Sequence, residues 1–261
     1  MLTDVWHYRS FVLGMVRREF EARYLNSVLG SVWALIGPLS TIMIYTIIFG
    51  RIMNARLIGV DDSLAYGIFL CAGVTTWGMF TEVIQRCLSV FIEQANLLKK
   101  VSFPRSILPL IVLLSAAVNF GIIFGLLLLF LAISGRFPGW SVVAFLPLLV
   151  VQQSLALGLG VALGVVNVFF RDAAHAVAVV LQFWFWFTPI VYPQQIVGET
   201  LQRLLDLNPL THVVLSYQAI LVRGSWPDWP QLLWPALCSV AALAVGVVAF
   251  HRLSGEMVDC L

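Results

Sequence analysis

Residues 137–170 read FPGWSVVAFLPLLVVQQSLALGLGVALGVVNVFF, thirty-four positions without one Asp, Glu, Lys or Arg. A bilayer core of about 30 Å is crossed by ~20 mostly apolar residues in a helix, so this stretch is long enough to span it. Five more stretches lack those four residue types, at 24–50, 63–81, 106–135, 173–198 and 229–250. Hydrophobic residues make up 61% of the chain and charged ones 11%, where a soluble domain usually carries ~25% charged residues. The mean hydropathy of +0.96 agrees. The expected fold class is an all-α polytopic membrane protein, one domain over 1–261. Its six transmembrane helices are expected at 29–52, 63–86, 106–134, 142–169, 173–193 and 230–250.

The basic residues choose an orientation. With six spans both termini share a side, and that side holds Arg9, Arg17, Arg18, Arg23, Arg86, Lys99, Lys100, Arg105, Arg171 and Arg252. The other side holds Arg51, Arg56, Arg136, Arg203 and Arg223. The positive-inside rule therefore puts both termini in the cytoplasm. No cleaved signal peptide is expected, because more than twenty charged or amphipathic residues precede a first span too long for an h-region. The four cysteines, Cys71, Cys87, Cys238 and Cys260, lack CxxC spacing and read as small hydrophobes or an unpaired tail thiol. A net charge of +2 does not point to nucleic acid.

Three segments between the spans carry pattern. Val5, Tyr8, Val12, Val16, Phe20 and Tyr24 recur every three or four residues with arginines between them, which predicts an amphipathic interface helix over 5–25. It is either a surface anchor or a working part that passes motion to the first span. In the second connection Leu97, Leu98 and Val101 share a helical face before Pro104. That predicts a short cytoplasmic helix over 94–103, either a solvated loop helix or a docking element presenting Lys99 and Lys100. Later, Thr188, Pro189 and Pro193 interrupt the fifth span near its outer end. Residues 207–222 form an apolar run of only sixteen, broken by Asn208 and Pro209, which suits a re-entrant or interfacial helix, so 194–225 is expected as a re-entrant region on the outer side.

Absent chemistry narrows the function. The only lysines are Lys99 and Lys100, and neither follows a glycine. A GxxxxGK[ST] phosphate loop is excluded, and ATP hydrolysis by that route with it. Glu82 and Arg86 stand four apart, the spacing of a local ion pair. His175 sits beside Arg171 and Asp172 at a membrane surface. No carboxylate falls at mid-membrane, where an ion-coupled carrier would keep one. No catalytic or metal-ligating constellation is evident, so a partner supplies work or the protein is a passive channel or scaffold.

Several strings, taken in order, resemble the permease subunits of type-2 ABC exporters that move polysaccharide. Tyr24-Leu-Asn-Ser-Val-Leu-Gly30-Ser-Val-Trp33 followed by Pro38 is similar to their start. Asn96-Leu-Leu-Lys-Lys-Val-Ser-Phe103-Pro104-Arg105 resembles their coupling helix. Asn167-Val-Phe-Phe-Arg171-Asp172 with Pro189, and Leu207-Asn208-Pro209-Leu210 with Gly224, match the later spans. Leu25-Asn26 departs from the basic residue and glycine often found there. The resemblance covers essentially the whole chain and is nearest to O-antigen exporter permeases, with capsule and teichoic acid exporters nearby.

That resemblance implies two copies of this chain and a pair of separate ATP-binding subunits, which hold the ATP and Mg; this chain would bind no cofactor. The implied cargo is a polysaccharide on undecaprenyl diphosphate, carried from the cytoplasmic to the periplasmic side of the bacterial inner membrane, with the re-entrant region 194–225 as a periplasmic gate. The interface helix becomes a gate helix where Arg17, Arg18 and Arg23 meet the lipid diphosphate. Gln94, Asn96, Leu97, Leu98, Lys99, Lys100 and Phe103 seat in the ATPase. Sugar rings slide on aromatic faces, and Trp33, Tyr45, Phe49, Trp77, Phe80, Phe183, Trp184 and Phe187 are the candidates for lining such a path. Ordinary packing or an interfacial aromatic belt would place the same residue types there. The alternatives are a type-2 permease for another glycan, lipid or drug, and a membrane-bound transferase.

Overall fold

The computed structural model describes residues 8–24, 32–52, 57, 64–95, 105 and 107–260, and its elements are helical. An N-terminal helix α1 (Arg9–Tyr24) is followed by α2 (Trp33–Tyr45), which continues as a π-helical stretch over Thr46–Ile52. Then come α3 (Ala65–Glu93), α4 (Ile107–Ile133), α5 (Phe145–Phe169) and α6 (Ala173–Trp186). Two shorter helices, α7 (Glu199–Leu207) and α8 (Pro209–Arg223), precede α9 (Leu233–Cys260).

Four helical segments among the described residues are long and apolar enough to cross a bilayer: Ala65–Glu93, Ile107–Ile133, Gly139–Phe169 and Trp229–Met257. They stand where the second, third, fourth and sixth spans were expected. The places of the first and fifth hold shorter apolar helices, Leu35–Phe49 and Ala173–Trp186. α6 was expected to run to 193 and stops at Trp186. The cause is Pro189, which has no N–H to give the helix and turns Thr188 away from helical backbone. α9 instead runs past its expected end at 250 to Cys260, because the helical ladder satisfies itself in water as well as in lipid.

Helices inside lipid gain little from hydrophobic burial, since the tails are as apolar as leucine, and they associate through close packing and buried hydrogen bonds. α5 shows both. It lies between α3 and α9, with glycines on each side. A Cβ on Gly158 would come within 2.4 Å of the α9 backbone at Ala242 and Leu243, and one on Gly164 within 2.4 Å of the Cys87 carbonyl of α3. Gln152 Nε2 donates to the Thr76 carbonyl (3.2 Å), and Tyr217 OH of α8 donates to Gln152 Oε1 (3.0 Å). Asn167 Nδ2 donates to the Leu88 carbonyl at 2.8 Å. α8 is therefore no surface element: Leu210, Val214, Tyr217 and Ile220 are fully buried, and it packs on α3, α5 and α9.

These glycines generate a direct test. Gly158→Leu or Gly164→Leu forces the helices apart at a cost of about 1–3 kcal/mol or more, whereas Gly125, with open space around it, tolerates the same change. Thermal unfolding in detergent should show both packed variants destabilised and Gly125→Leu close to the parent.

Candidate functional site

α1 is docked against the helical bundle. Val12 is buried, and Tyr8, Phe11, Met15 and Val16 pack against the bundle core, chiefly on α4. Its polar side is equally engaged. Arg86 of α3 donates through Nη2 to Glu19 Oε2, and Ser115 of α4 donates to the same oxygen. Arg86 Nη1 also lies 3.7 Å from Glu82 Oε1, and Asn119 Nδ2 donates to Glu82 Oε2 at 3.1 Å. The Glu82–Arg86 pair expected from spacing thus exists, but Arg86 is turned chiefly towards a second carboxylate on α1.

Two cavities meet at this cluster. One of about 300 Å³ is lined by α1 residues Val16, Glu19 and Phe20 together with Arg86, Glu93 and Ser115. The other, also about 300 Å³, lies between α2, α3 and α4 against Pro38, Ile42, Met79, Glu82 and Phe120. Asn119 lines both. On the outward side of α1, Arg18 is exposed. Arg17 donates through Nε to Glu21 Oε1 at 2.7 Å, and that bond and the carboxylate charge raise its pKa above the ordinary arginine value. Arg23 lies within α1, its side chain outside the described residues.

The aromatic candidates fall into three settings. Trp77, Phe80 and Trp184 form one inward cluster, with ring centroids 5.5 Å apart for Trp77–Phe80 and for Phe80–Trp184. Phe80 is fully buried, and Phe185 joins edge-on to Trp77 at 5.8 Å. Tyr45 and Phe49 form a second row that continues through Tyr66 to Phe69. Phe183 and Phe187 are 65% and 55% exposed on the single chain. The run of five aromatics at 183–187, across the end of α6, therefore splits, Trp184 and Phe185 facing in while Phe183, Trp186 and Phe187 face out. Trp33 begins α2, its side chain outside the described residues.

Where α6 stops, backbone carbonyls lose their helical partners, and side chains take over. Thr188 Oγ1 donates to the Trp184 carbonyl (2.9 Å), Tyr192 OH to that of Trp186 (2.8 Å) and Asn208 Nδ2 to that of Phe187 (2.9 Å). Gln218 Nε2 donates to the carbonyls of Pro189 and Ile190, both at 3.2 Å, and Tyr66 OH to that of Val191 at 2.7 Å. Asn208 also accepts from Trp184 Nε1 (2.9 Å) and caps α8 by accepting from the Leu210 amide (3.1 Å).

Of the expected docking segment 94–103, Gln94 closes the end of α3 and lines the α1 cavity. Asn96, Leu97, Leu98, Lys99, Lys100 and Phe103 lie outside the described residues. Just past that segment, Arg105 Nη1 donates to the Ser254 carbonyl of α9. Sequence reading missed Glu19, Gln152 and Gln218. Glu19 carried a usable signal, an acid on the face opposite the exposed arginines. His175 is exposed at the start of α6, and Cys71 and Cys87 are buried in the core.

A bundle of long apolar helices with polar side chains gathered inside it has the build of a membrane permease. The chain belongs to the ABC-2 type transporter family, whose model matches residues 11–222. It is similar to the O-antigen export system permease protein RfbA of Myxococcus xanthus, 31% identical over all of this chain and 99% of the relative. A second RfbA, from Klebsiella pneumoniae, is 27% identical over 95% of this chain and 93% of that protein. The polysialic acid transport protein KpsM of Escherichia coli is 22% identical over 92% of each.

The α1 latch is open to measurement. Glu19→Gln removes the charge that Arg86 and Ser115 share, weakening the dock by about 1–3 kcal/mol. Spin labels on the exposed Leu13 and Leu129 should give one narrow distance distribution in the parent and a broadened one in the variant. Identical distributions would mean that apolar contacts alone seat α1.

Proposed function

We propose that this chain is the channel-forming membrane subunit of an ATP-driven exporter that moves undecaprenyl-diphosphate-linked polysaccharide of the O-antigen type to the periplasm. The observation that carries the reading is the end-to-end similarity to a permease named for O-antigen export, 31% identical over the whole chain. Six spans with both termini inside, a homodimer and a separate pair of ATP-binding subunits complete the proposal. They follow from the basic-residue bias, from the lack of any phosphate loop and from the family.

Each part of the chain has work under this reading. The exposed Arg18, with Arg23, offers the lipid diphosphate a bidentate guanidinium fork at the membrane surface. Arg17 is already engaged with Glu21. α1 is tied to α3 by Glu19–Arg86, so a headgroup pulling on α1 pulls on the helix that leads into 94–103. An ATPase seated on 94–103 would in turn move α9 through Arg105 and Ser254. Two copies enclose the path. Phe183 and Phe187, exposed on one chain, are the tunnel candidates best placed to meet a sliding sugar, while Trp77, Phe80 and Trp184 hold the wall behind them. The relation to KpsM supports a second reading, a capsular glycan as cargo.

Deleting the gene should strip the long glycan from the cell surface and leave it lipid-linked inside, seen on gels of surface and total glycan. Unchanged surface glycan would overturn the export reading, and the fraction that disappears, lipopolysaccharide-linked or capsular, selects the cargo. In complemented cells Arg18→Gln with Arg23→Gln should lower export several-fold at equal membrane-inserted protein. Arg17→Gln should lower it less.

A further inference from the structure

Two adjoining cavities lie at the end of α3 opposite the α1 cluster. One, of about 390 Å³, has Phe69 near the start of α3 in its wall, whereas the α1 cavity reaches Glu93 at the helix's last turn. At 1.5 Å per residue the two sites are roughly 35 Å apart along α3. The second, of about 270 Å³, is lined by Gln194, Gln195, Gln202, Asp206, His212 and Gln231. Gln194, Gln195 and Gln231 line both, so the cavities form one cleft within the ~300–1,000 Å³ range of small-ligand sites.

Amides dominate this cleft. Four glutamines surround the smaller cavity, and Gln218 adds a fifth amide in the larger one. Formal charge in the lining is balanced between Asp206 and Arg223. On the other wall stand Phe69, Leu215 and Val222. Gln218 is 2% exposed, and while its Nε2 is held by two carbonyls, its Oε1 has no hydrogen-bond partner. His212 Nδ1 is likewise buried without one. An acceptor left open on a residue that lines the cleft is a position to which an incoming hydroxyl can donate.

We propose that this cleft binds a neutral sugar unit of the exported chain. A pyranose presents hydroxyls that both donate and accept around its rim, and C–H groups on its faces. Asp206 Oδ1 already accepts from Gln194 Nε2 at 2.8 Å, and Gln202 Nε2 is held by the Gln194 and Val197 carbonyls. The amide oxygens and Asp206 Oδ2 therefore accept from the rim hydroxyls, Gln195 can donate to them, and Phe69 with the aliphatic wall receives the face. The balanced charge disfavours a phosphate or a polyanion. The cleft adjoins the α6 break through Gln218, so an occupant would bear on the same carbonyls that Gln218 holds. This inference rests on the export reading and places a sugar-holding station at the end of the path away from α1.

The test uses the chain with its ATPase in lipid nanodiscs. The probe is the host's own surface polysaccharide, freed of lipid by mild acid and cut to short oligosaccharides. Saturation-transfer NMR titration should show binding to the parent. It should weaken about tenfold in Gln195→Ala/Gln231→Ala, the loss expected for two hydrogen-bonding side chains at ~0.5–1.5 kcal/mol each. Both positions are exposed and neither holds the helix break, so membrane level and unfolding temperature should not change. No binding to the parent, or equal binding to both proteins, overturns the site. If gene deletion strips surface glycan while either of those results is found, the site falls and export stands. If deletion leaves surface glycan intact, the export reading falls and the site with it.

Discussion

A helix that stops among apolar surroundings must have its free carbonyls bonded, because an unsatisfied backbone group in hydrocarbon costs several kcal/mol. The end of α6 is where this chain meets that constraint. Between Trp184 and Val191 six carbonyls are taken by side chains from α3, from α8, from its cap and from the break itself. Asn208 is central, since one amide bonds the Phe187 carbonyl, the Thr188 hydroxyl, the Trp184 indole and the Leu210 amide. Its place before Pro209 lets a single residue cap α8 and close the α6 break, which fixes the two helices to each other. A break made this way is ordered, and it leaves a polar, shaped surface inside an otherwise apolar bundle.

α3 carries the consequences along the molecule. Its first half supplies Tyr66 and Phe69 to the break and the amide-rich cleft, and its last turns supply Arg86 to the α1 latch. α5 holds it rigidly through Gly160 and Gly164, whose missing side chains leave room for Cys87 and its carbonyl. A stiff rod joined to a different polar device at each end suits a protein that must relate events on two sides of a membrane.

Composition made most of the fold legible. Four of six expected spans appear as long apolar helices within a few residues of their expected starts, and the α6 interruption was readable from Pro189. Helix ends were less so: the sixth span was expected to end at 250, just before Arg252, while the helix runs on to Cys260, because charge marks where lipid stops, not where helix stops. The burial of α8 was hidden too, because a sixteen-residue apolar run reads alike at an interface and in a core. At the site, spacing revealed Glu82–Arg86, since that pair is local. Glu19–Arg86 and Tyr217–Gln152 join residues 67 and 65 positions apart, and no periodicity reports such pairings. The aromatic positions were readable as aromatic, but which ones turn inward is decided by tertiary packing.

The central claim is that this chain, with an ATPase, provides the route for a lipid-linked glycan. Proteoliposomes holding both proteins and a glycan-bearing undecaprenyl diphosphate on the ATPase side test it directly, with a lectin reporting glycan on the opposite face. The account predicts that lectin-accessible glycan rises with ATP only when both proteins are present. No rise above vesicles lacking this chain would contradict it.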